Sequence, residues 1–197
     1  MINHAFGILL HPKTEWSKIT ATADKSSGLL YTVLMATLPA VAWYYGTTQV
    51  GWSIGDDEMT RLTETSALPL IILFYLAMIS TIAVIGYFTH WMSEEYGAKS
   101  SLLRGISIAS YASTPMFIAG LVGFSPSLWV DMLVGVFAVS WALYLLYIGI
   151  PIVMDIPKER GFLFASAIVA VCLVMLVVIM VASVILWDFG FAPEYIS

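Results

Sequence analysis

Five long apolar stretches constrain the fold of this chain more than any other feature. They run over Leu29–Gln49, Ser66–Trp91, Leu102–Phe124, Ser127–Ile150 and Phe162–Trp187. Each is long enough to cross a hydrocarbon core of about 30 Å, which takes about 20 helical residues. Of the 197 residues, 60% are hydrophobic and 11% are charged. One small globule cannot hide that much apolar surface, so lipid must be the solvent.

The pattern inside these stretches decides between the two architectures that can span a membrane. Each stretch is continuously apolar rather than alternating, which excludes a transmembrane barrel. Backbone groups in lipid must find hydrogen-bond partners within their own segment, so each stretch should form a helix. The sequence therefore predicts an all-α polytopic membrane protein. Its five transmembrane helices form a single bundle over residues 28–190, with tails at residues 1–27 and 191–197.

The basic residues indicate how the bundle is oriented. Seven of the eight lysine and arginine residues fall before the first stretch, between the second and third, or between the fourth and fifth. They are Lys13, Lys18, Lys25, Lys99, Arg104, Lys158 and Arg160. The eighth, Arg61, falls on the other side. Basic loops stay in the cytoplasm, so we expect a cytoplasmic N-terminus, and an odd number of spans then places the C-terminus outside.

Apolar residues also recur at helical spacing in the N-terminal tail. They are Phe6, Leu9, Leu10, Trp16 and Ile19. This pattern favours a short amphipathic helix that lies in the cytoplasmic interface of the membrane, with Trp16 as its aromatic anchor. The alternative is a mobile tail that merely flanks the first span.

Small residues recur every four positions in the third stretch, at Gly105, Ala109 and Ser113. This spacing makes one helix face smooth enough for close contact with a neighbouring helix. We therefore expect the third span at the centre of the bundle. The fifth stretch is almost free of polar residues, and we expect it on the lipid side.

A proline interrupts the third stretch near its middle. Pro115 has no N–H to donate to the carbonyl of Tyr111, four residues earlier. Tyr111 itself and its neighbours Ser110, Ser113 and Thr114 can satisfy the loosened backbone. The pattern predicts a kinked helix lined with polar groups. Such a helix could form a gate or a lipid-headgroup pocket, or it could be an ordinary packing helix.

Two further pairs of residues carry weaker signals. Tyr144 and Tyr147 share one face of the fourth stretch by i,i+3 spacing and join the candidate polar site, although an aromatic belt also explains Tyr147. His90 and Glu94 stand four apart at the end of the second stretch, a spacing that could supply two metal ligands. Without a second ligand cluster, a simple polar pair is the favoured interpretation. The sequence indicates no metal site and no cofactor.

The loop after the first stretch is polar and acidic. We expect its first part to form an ordered cap on the outer mouth of the bundle, through Thr47, Thr48 and Gln49, with Trp52 anchored in the interface. The acids beyond are expected to project into solvent, with a cation site as the alternative. They are Asp56, Asp57 and Glu58.

Composition and motifs exclude several classes of protein. A net charge of −5 and an isoelectric point near 5.0 argue against nucleic acid as a partner. A single cysteine, Cys172, rules out an internal disulfide. The sequence has no nucleophile elbow, no phosphate-cradling glycine loop and no HExxH motif. We therefore expect a protein that is not an enzyme.

Four segments carry a resemblance to a known family. They are His11–Trp16, Gly46–Trp52, Tyr111–Pro115 and Tyr144–Pro151. With them the chain resembles the Yip1-domain family of small five-span membrane proteins over nearly its whole length, and it is similar to the compact bacterial inner-membrane members. The resemblance implies a bacterial inner membrane, with the C-terminus in the periplasm. Eukaryotic members contact Rab-type GTPases through long cytoplasmic N-terminal regions, and the shorter tail here argues against GTPase binding.

The sequence leaves two classes of function open. The first is a non-enzymatic scaffold or membrane-organising factor that works through contacts with lipids and with other helices, as a homo-oligomer or with other membrane proteins. The second is a transporter or channel for a small ion or solute, with a divalent cation such as zinc as the first candidate. A transport path needs polar groups that converge near the bilayer midplane.

Overall fold

The computed structural model describes residues 2–25, 27–53 and 59–196, and within them the chain is mostly helical. The helices are α1 (Ile2–Leu10), α2 (Pro12–Thr20), α3 (Ser27–Tyr45), α4 (Glu64–Met92), α5 (Leu102–Ala112), α6 (Thr114–Ala119), α7 (Leu128–Met154) and α8 (Lys158–Leu186). Short helical turns follow four of them, over Gly46–Val50, Ser93–Tyr96, Gly120–Phe124 and Trp187–Phe191. Strands β1 (Arg61–Leu62) and β2 (Tyr195–Ile196) form an antiparallel pair. The all-α membrane class predicted from the sequence is confirmed.

Four helices, α3, α4, α7 and α8, are long and apolar enough to cross a membrane, and Leu102–Ala112 together with Thr114–Phe124 has the length and composition of a fifth span. This pair is bent by 42°. Its first end lies beside the start of α3, because Arg104 donates a hydrogen bond to Asp24 over 2.6 Å. Its other end lies beside the end of α3, where Gly123 packs against Gly46 so closely that a Cβ on Gly46 would collide with its carbonyl. The bent pair therefore runs from one end of the bundle to the other.

The two ends of the bundle differ in charge. The α4–α5 connection meets the start of α8, where Tyr96 stacks on Phe164 at 4.7 Å between ring centroids. This end, which we call the basic end, carries the seven basic residues named above. The opposite end carries β1 and β2, which tie the C-terminal segment to the loop after α3. The N-terminal and C-terminal segments therefore lie at opposite ends, as an odd number of crossings requires.

The N-terminal tail folds as two helices packed on the bundle. Pro12 occupies the first turn of α2, where the fixed φ of proline suits a helix start. The expectation that Trp16 anchors the tail in the membrane interface needs correction, since its indole is fully buried against Gly149 of α7. The tail still exposes two large apolar side chains, Phe6 and Leu10. Some apolar residues of the tail therefore pack on the bundle, and others face outward.

Helix α5 lies at the centre of the bundle, and α8 lies at its edge. Every residue from Gly105 to Ala112 is buried. A Cβ added to Gly86 of α4 would lie 2.7 Å from the Cα of Ile106, so these two helices touch through their backbones. Most side chains in the second half of α8 are exposed, in keeping with a lipid-facing position.

Candidate functional site

The break between α5 and α6 is built by the proline and by three hydroxyl side chains. Pro115 falls in the first turn of α6, and α5 ends at Ala112, with Ser113 as its C-terminal cap. The Thr114 hydroxyl donates to the carbonyl of Tyr111 over 2.7 Å, and this is the carbonyl that the proline leaves without its usual partner. The hydroxyls of Ser113 and Ser110 donate to the carbonyls one turn before them, at 2.8 and 2.7 Å. The bend therefore leaves few unpaired backbone groups inside the bundle.

Helix α3 meets this break with two polar side chains of its own. The hydroxyls of Tyr31 and Thr114 form a hydrogen bond of 2.7 Å, and Thr32 donates to Ser110 over 2.7 Å. The rings of Tyr31 and Tyr111 lie 4.4 Å apart between centroids. All five side chains are buried. These contacts bind the first span to the broken span at the level of the kink.

The N-terminal hairpin adds a charged group to the same place. The imidazole of His4 packs edge-on against the ring of Tyr111 at 6.0 Å and contacts the Glu15 carboxylate at 2.5 Å. Lys18 donates to the other carboxylate oxygen over 3.0 Å. Gly7 makes room for this carboxylate, because a Cβ there would lie 2.6 Å from it. We call the set His4, Glu15, Tyr31, Tyr111 and Thr114 the polar junction.

Glu15 is buried, and its partners determine its ionisation. Burial alone would raise the pKa of this carboxyl, but hydrogen bonds from His4 and Lys18 and their charges lower it below the ordinary value of 4.5. Glu15 is therefore ionised at neutral pH. His4 and Lys18 both belong to the hairpin, so the ionised Glu15 ties α1 to α2, and loss of these partners would leave a costly buried charge.

The hairpin and the turn after it are fixed at three further points. The indole of Trp16 lies flat on Gly149, where a Cβ would be 2.5 Å from a ring carbon. Ser107 donates to the carbonyl of Ala23 over 3.1 Å. After α2, Asp24 accepts hydrogen bonds from Ser101 at 2.5 Å and from Arg104.

The two partners of Asp24 also shift its ionisation. The hydrogen bond from the Ser101 hydroxyl is the largest influence, and together with the Arg104 guanidinium it holds the pKa of the Asp24 carboxyl below its ordinary value of 3.8. The carboxylate therefore remains charged across the physiological pH range and can keep its ion pair with Arg104.

The structure separates the predicted site residues into three groups. Ser110, Tyr111, Thr114 and Pro115 meet at the kink, as described above. Gly105, Ala109 and Ser113 belong to the α5 packing surface, where a Cβ on Gly105 would collide with the Gly86 carbonyl. Tyr144 and Tyr147 lie elsewhere: Tyr147 pairs with Ser166 of α8 at 2.9 Å, and Tyr144 is exposed beside Trp141.

The predicted outer mouth lies at the end opposite the polar junction. Thr47 and Thr48 are buried, and their hydroxyls donate to the carbonyls of Trp43 and Tyr44 at 2.6 and 2.7 Å. Gln49 donates to Glu64 over 3.4 Å.

Trp52 completes this mouth. It pairs with Thr60 through the backbone and packs against Tyr195. The prediction for the three acids Asp56, Asp57 and Glu58 falls outside the described residues.

The weak metal candidates gain no further ligand. Within residues 2–25, 27–53 and 59–196, no group of three or more histidine, cysteine, aspartate or glutamate side chains could hold a metal ion. His90 keeps a buried Nδ1 without a hydrogen-bond partner among them. His90 and Glu94 therefore stay a pair at the end of α4.

Sequence reasoning missed three members of the polar junction. Glu15 and His4 lie in the tail, which was interpreted through its apolar residues and its lysines, with His4 only a weak addition to the metal idea. Tyr31 lies in a stretch interpreted only through its hydropathy. A signal was present in each case. Glu15 adjoins Trp16 in the quoted segment His11–Trp16, and Tyr31 and Thr32 are adjacent polar residues near the start of an apolar span.

Comparison with known proteins gives one family match that covers most of the chain. The profile of the Yip1 domain matches residues 6–179, which include the hairpin from Phe6 onward, the kink and most of α8. The chain belongs to the Yip1 domain family. Two curated relatives of this Yip1-domain protein are the Inner membrane protein YohC of Escherichia coli strain K12 and that of Escherichia coli O6:H1 strain CFT073. Each is 36% identical over 192 residues, 96% of this chain and 98% of the relative. No solved structure matches the chain.

Proposed function

We propose that this Yip1-domain protein is a non-enzymatic scaffold or membrane-organising factor of the bacterial inner membrane. It works through contacts of its helices with lipids and with other membrane proteins. Its N-terminal hairpin lies on the cytoplasmic side and its C-terminus in the periplasm. The location is supported by relatives that are named inner membrane proteins, and the orientation by the seven basic residues at one end of the bundle.

The observation that carries this proposal is the internal pairing of the hydroxyl groups at the kink. Tyr31 bonds with Thr114, Thr32 bonds with Ser110, and Thr114 also caps a backbone carbonyl. A transport site presents polar groups to its solute near the bilayer midplane. Here those hydroxyls are occupied by one another, so they act as an internal tie between spans. Hydrogen bonds that join spans in this way are expected in a rigid scaffold.

Ion flux in liposomes tests the proposal most directly. The purified protein is reconstituted into vesicles that contain a zinc-sensitive dye, and zinc is added outside. We expect the dye signal to rise no faster than in vesicles without protein. In parallel, spin-labelled phospholipid should show a motionally restricted fraction that grows with the amount of protein.

One variant separates the two classes of function. Tyr31→Phe removes the hydroxyl that bonds with Thr114 and keeps the ring. We expect it to lower thermal stability without creating or removing any flux. A saturable zinc flux that this variant abolishes would overturn the proposal and favour the transporter.

A further inference from the structure

The indole N–H of Trp16 is a hydrogen-bond donor buried between the hairpin of α1 and α2 and the bundle. Trp16 is fully buried, and its Nε1 has no hydrogen-bond partner among the residues that the structure describes. The unpaired atoms of His90, Arg104 and Asp131 differ, because those side chains are partly exposed. A buried donor without an acceptor destabilises the state that contains it. The docked position of the hairpin therefore carries a cost at the residue that packs it on α7.

The charged cluster of the hairpin does not oppose its release from the bundle. The Glu15 carboxylate contacts His4 at 2.5 Å and Lys18 at 3.0 Å, and all three residues belong to α1 or α2. A hairpin that left the bundle as one body would keep both contacts. Release would therefore leave no charge of this cluster without its partner.

The turn after α2 provides a fixed pivot. The carbonyl of Ala23 accepts a hydrogen bond from Ser107 over 3.1 Å, and Asp24 accepts one from Arg104 over 2.6 Å. Both contacts come after α2 has ended at Thr20. The hairpin can therefore move while the turn that follows it stays attached to α5.

The hairpin is suited to the membrane interface beside the basic end. In its docked position Phe6 and Leu10 are already exposed, so one apolar surface of α1 faces outward. Tryptophan prefers the interface, because its ring contacts lipid there while its N–H reaches water or headgroups. An amphipathic hairpin in that place would exchange the contact of Trp16 with Gly149 for lipid, and the indole N–H would gain an acceptor.

We propose that the hairpin is a removable cover with two positions, one docked on the bundle as in the structure and one released into the adjacent membrane interface. Release would uncover the ring of Tyr111, which His4 contacts in the docked position, and the surface of α7 at Gly149. The hydrogen bonds of Tyr31 and Thr32 with the kink involve no hairpin residue and would persist. The inference requires a bundle that spans a membrane and does not rest on the proposed function.

Distances between two spin labels in liposomes test for the two positions. The labels are attached at Ser17→Cys on α2 and at Ser127→Cys at the far end of α7, in a Cys172→Ser background that removes the single native cysteine. Because Trp16 contacts Gly149, the docked labels should lie about 33 Å apart along α7. We expect one population of molecules near this distance and a second population at a longer distance.

Two replacements should move these populations in opposite directions. Replacement of Trp16 by 3-benzothienylalanine keeps the shape of the ring and removes the N–H. It should raise the ratio of docked to released hairpin about fivefold or more, because the unsatisfied donor is gone. Gly149→Ala crowds the docked ring and should lower the ratio about fivefold or more relative to Gly135→Ala, whose Cβ meets nothing. A single distance in the wild type, or a ratio that the Trp16 replacement does not raise, would overturn the proposal.

A second label pair separates release from unfolding of the hairpin. The labels are attached at Phe6→Cys on α1 and Ser17→Cys on α2, in the same background. Because Glu15 joins the two helices in both positions, this distance should be the same in the wild type and in Gly149→Ala. A broad spread of distances in Gly149→Ala would show that the hairpin unfolds instead of moving as one body, and the cover would be refuted.

Discussion

Substitution of Gly149 by alanine should loosen the N-terminal hairpin. The added Cβ would lie 2.5, 2.6 and 3.0 Å from three ring carbons of Trp16, whereas carbon atoms pack best at about 3.5–4.0 Å. Trp16 is fully buried, so its ring must move by about 1 Å against packed neighbours. Overpacking of this kind costs about 1–3 kcal/mol. Alanine offsets up to about 1 kcal/mol of that cost, because it favours a helix more than glycine does.

Gly135 of the same helix is the matched control. A Cβ at Gly135 would meet nothing within 4 Å, so Gly135→Ala keeps the helix-propensity gain without the clash. The unfolding free energies of the two variants should therefore differ by about 1–3 kcal/mol, which corresponds to about 2–12 °C in Tm. Thermal unfolding in one detergent measures this difference.

Tryptic cleavage after Lys13 and Lys18 measures whether the hairpin detaches. Cleavage should be faster in Gly149→Ala than in Gly135→Ala. If the two variants have the same Tm and the same cleavage rate, the contact of Trp16 with Gly149 does not hold the hairpin on α7.

Three further predictions address other parts of the chain. Ala109→Leu should lower the free energy of unfolding in detergent by about 1–3 kcal/mol, because α5 is buried on all sides, whereas Val174→Leu on the exposed part of α8 should be nearly silent; equal thermal shifts would mean that α5 is not the central helix. Since the folded pKa of Glu15 lies below 4.5, its carboxylate contributes stability that is present above pH 4.5 and is lost as the pH falls through the folded pKa. Glu15→Gln should therefore be less stable than the wild type at neutral pH and should approach it on acidification; melting curves that stay parallel down to about pH 3 would contradict the role of this charge. A reporter fused to the C-terminus should be active in a periplasm-reporting format, and activity in a cytoplasm-reporting format would reverse the proposed orientation.

The span helices and the kink could be predicted because they depend on local properties of the chain. Apolar length fixes a membrane-crossing helix, and a proline removes one particular backbone hydrogen bond wherever the helix lies. The hydroxyl that satisfies the freed carbonyl is also local. Thr114 is three residues from Tyr111, so its role could be inferred from the sequence alone.

The position of the hairpin could not be predicted in the same way. An amphipathic pattern shows which face of a helix is apolar, but it does not show whether lipid or protein covers that face. Trp16 is as suitable for a membrane interface as for a pocket over Gly149. The space above Gly149 exists because the residue lacks a side chain, and it is found only when α7 and α2 are seen together.

The polar junction is even harder to predict from the sequence, because its members are far apart in the chain. The hydrogen bond between Tyr31 and Thr114 joins residues 83 positions apart, and the contact of His4 with Glu15 depends on the turn between α1 and α2. Nothing in hydropathy or helical spacing pairs one hydroxyl with another at such a distance. A single sequence therefore predicts that polar groups occur at the kink, but not which groups join them.

The pairing of β1 with β2 has a consequence for the synthesis of the protein. Arg61 and Leu62 pair with Ile196 and Tyr195, so the first loop on that side of the membrane has its partner strand far later in the chain. At about 5–20 residues per second, roughly 130 residues take about 7–26 s to follow. During that time four further spans, α4, the α5–α6 pair, α7 and α8, must be inserted while the loop has no strand to pair with. The ribbon can therefore close only after those four spans have been synthesised.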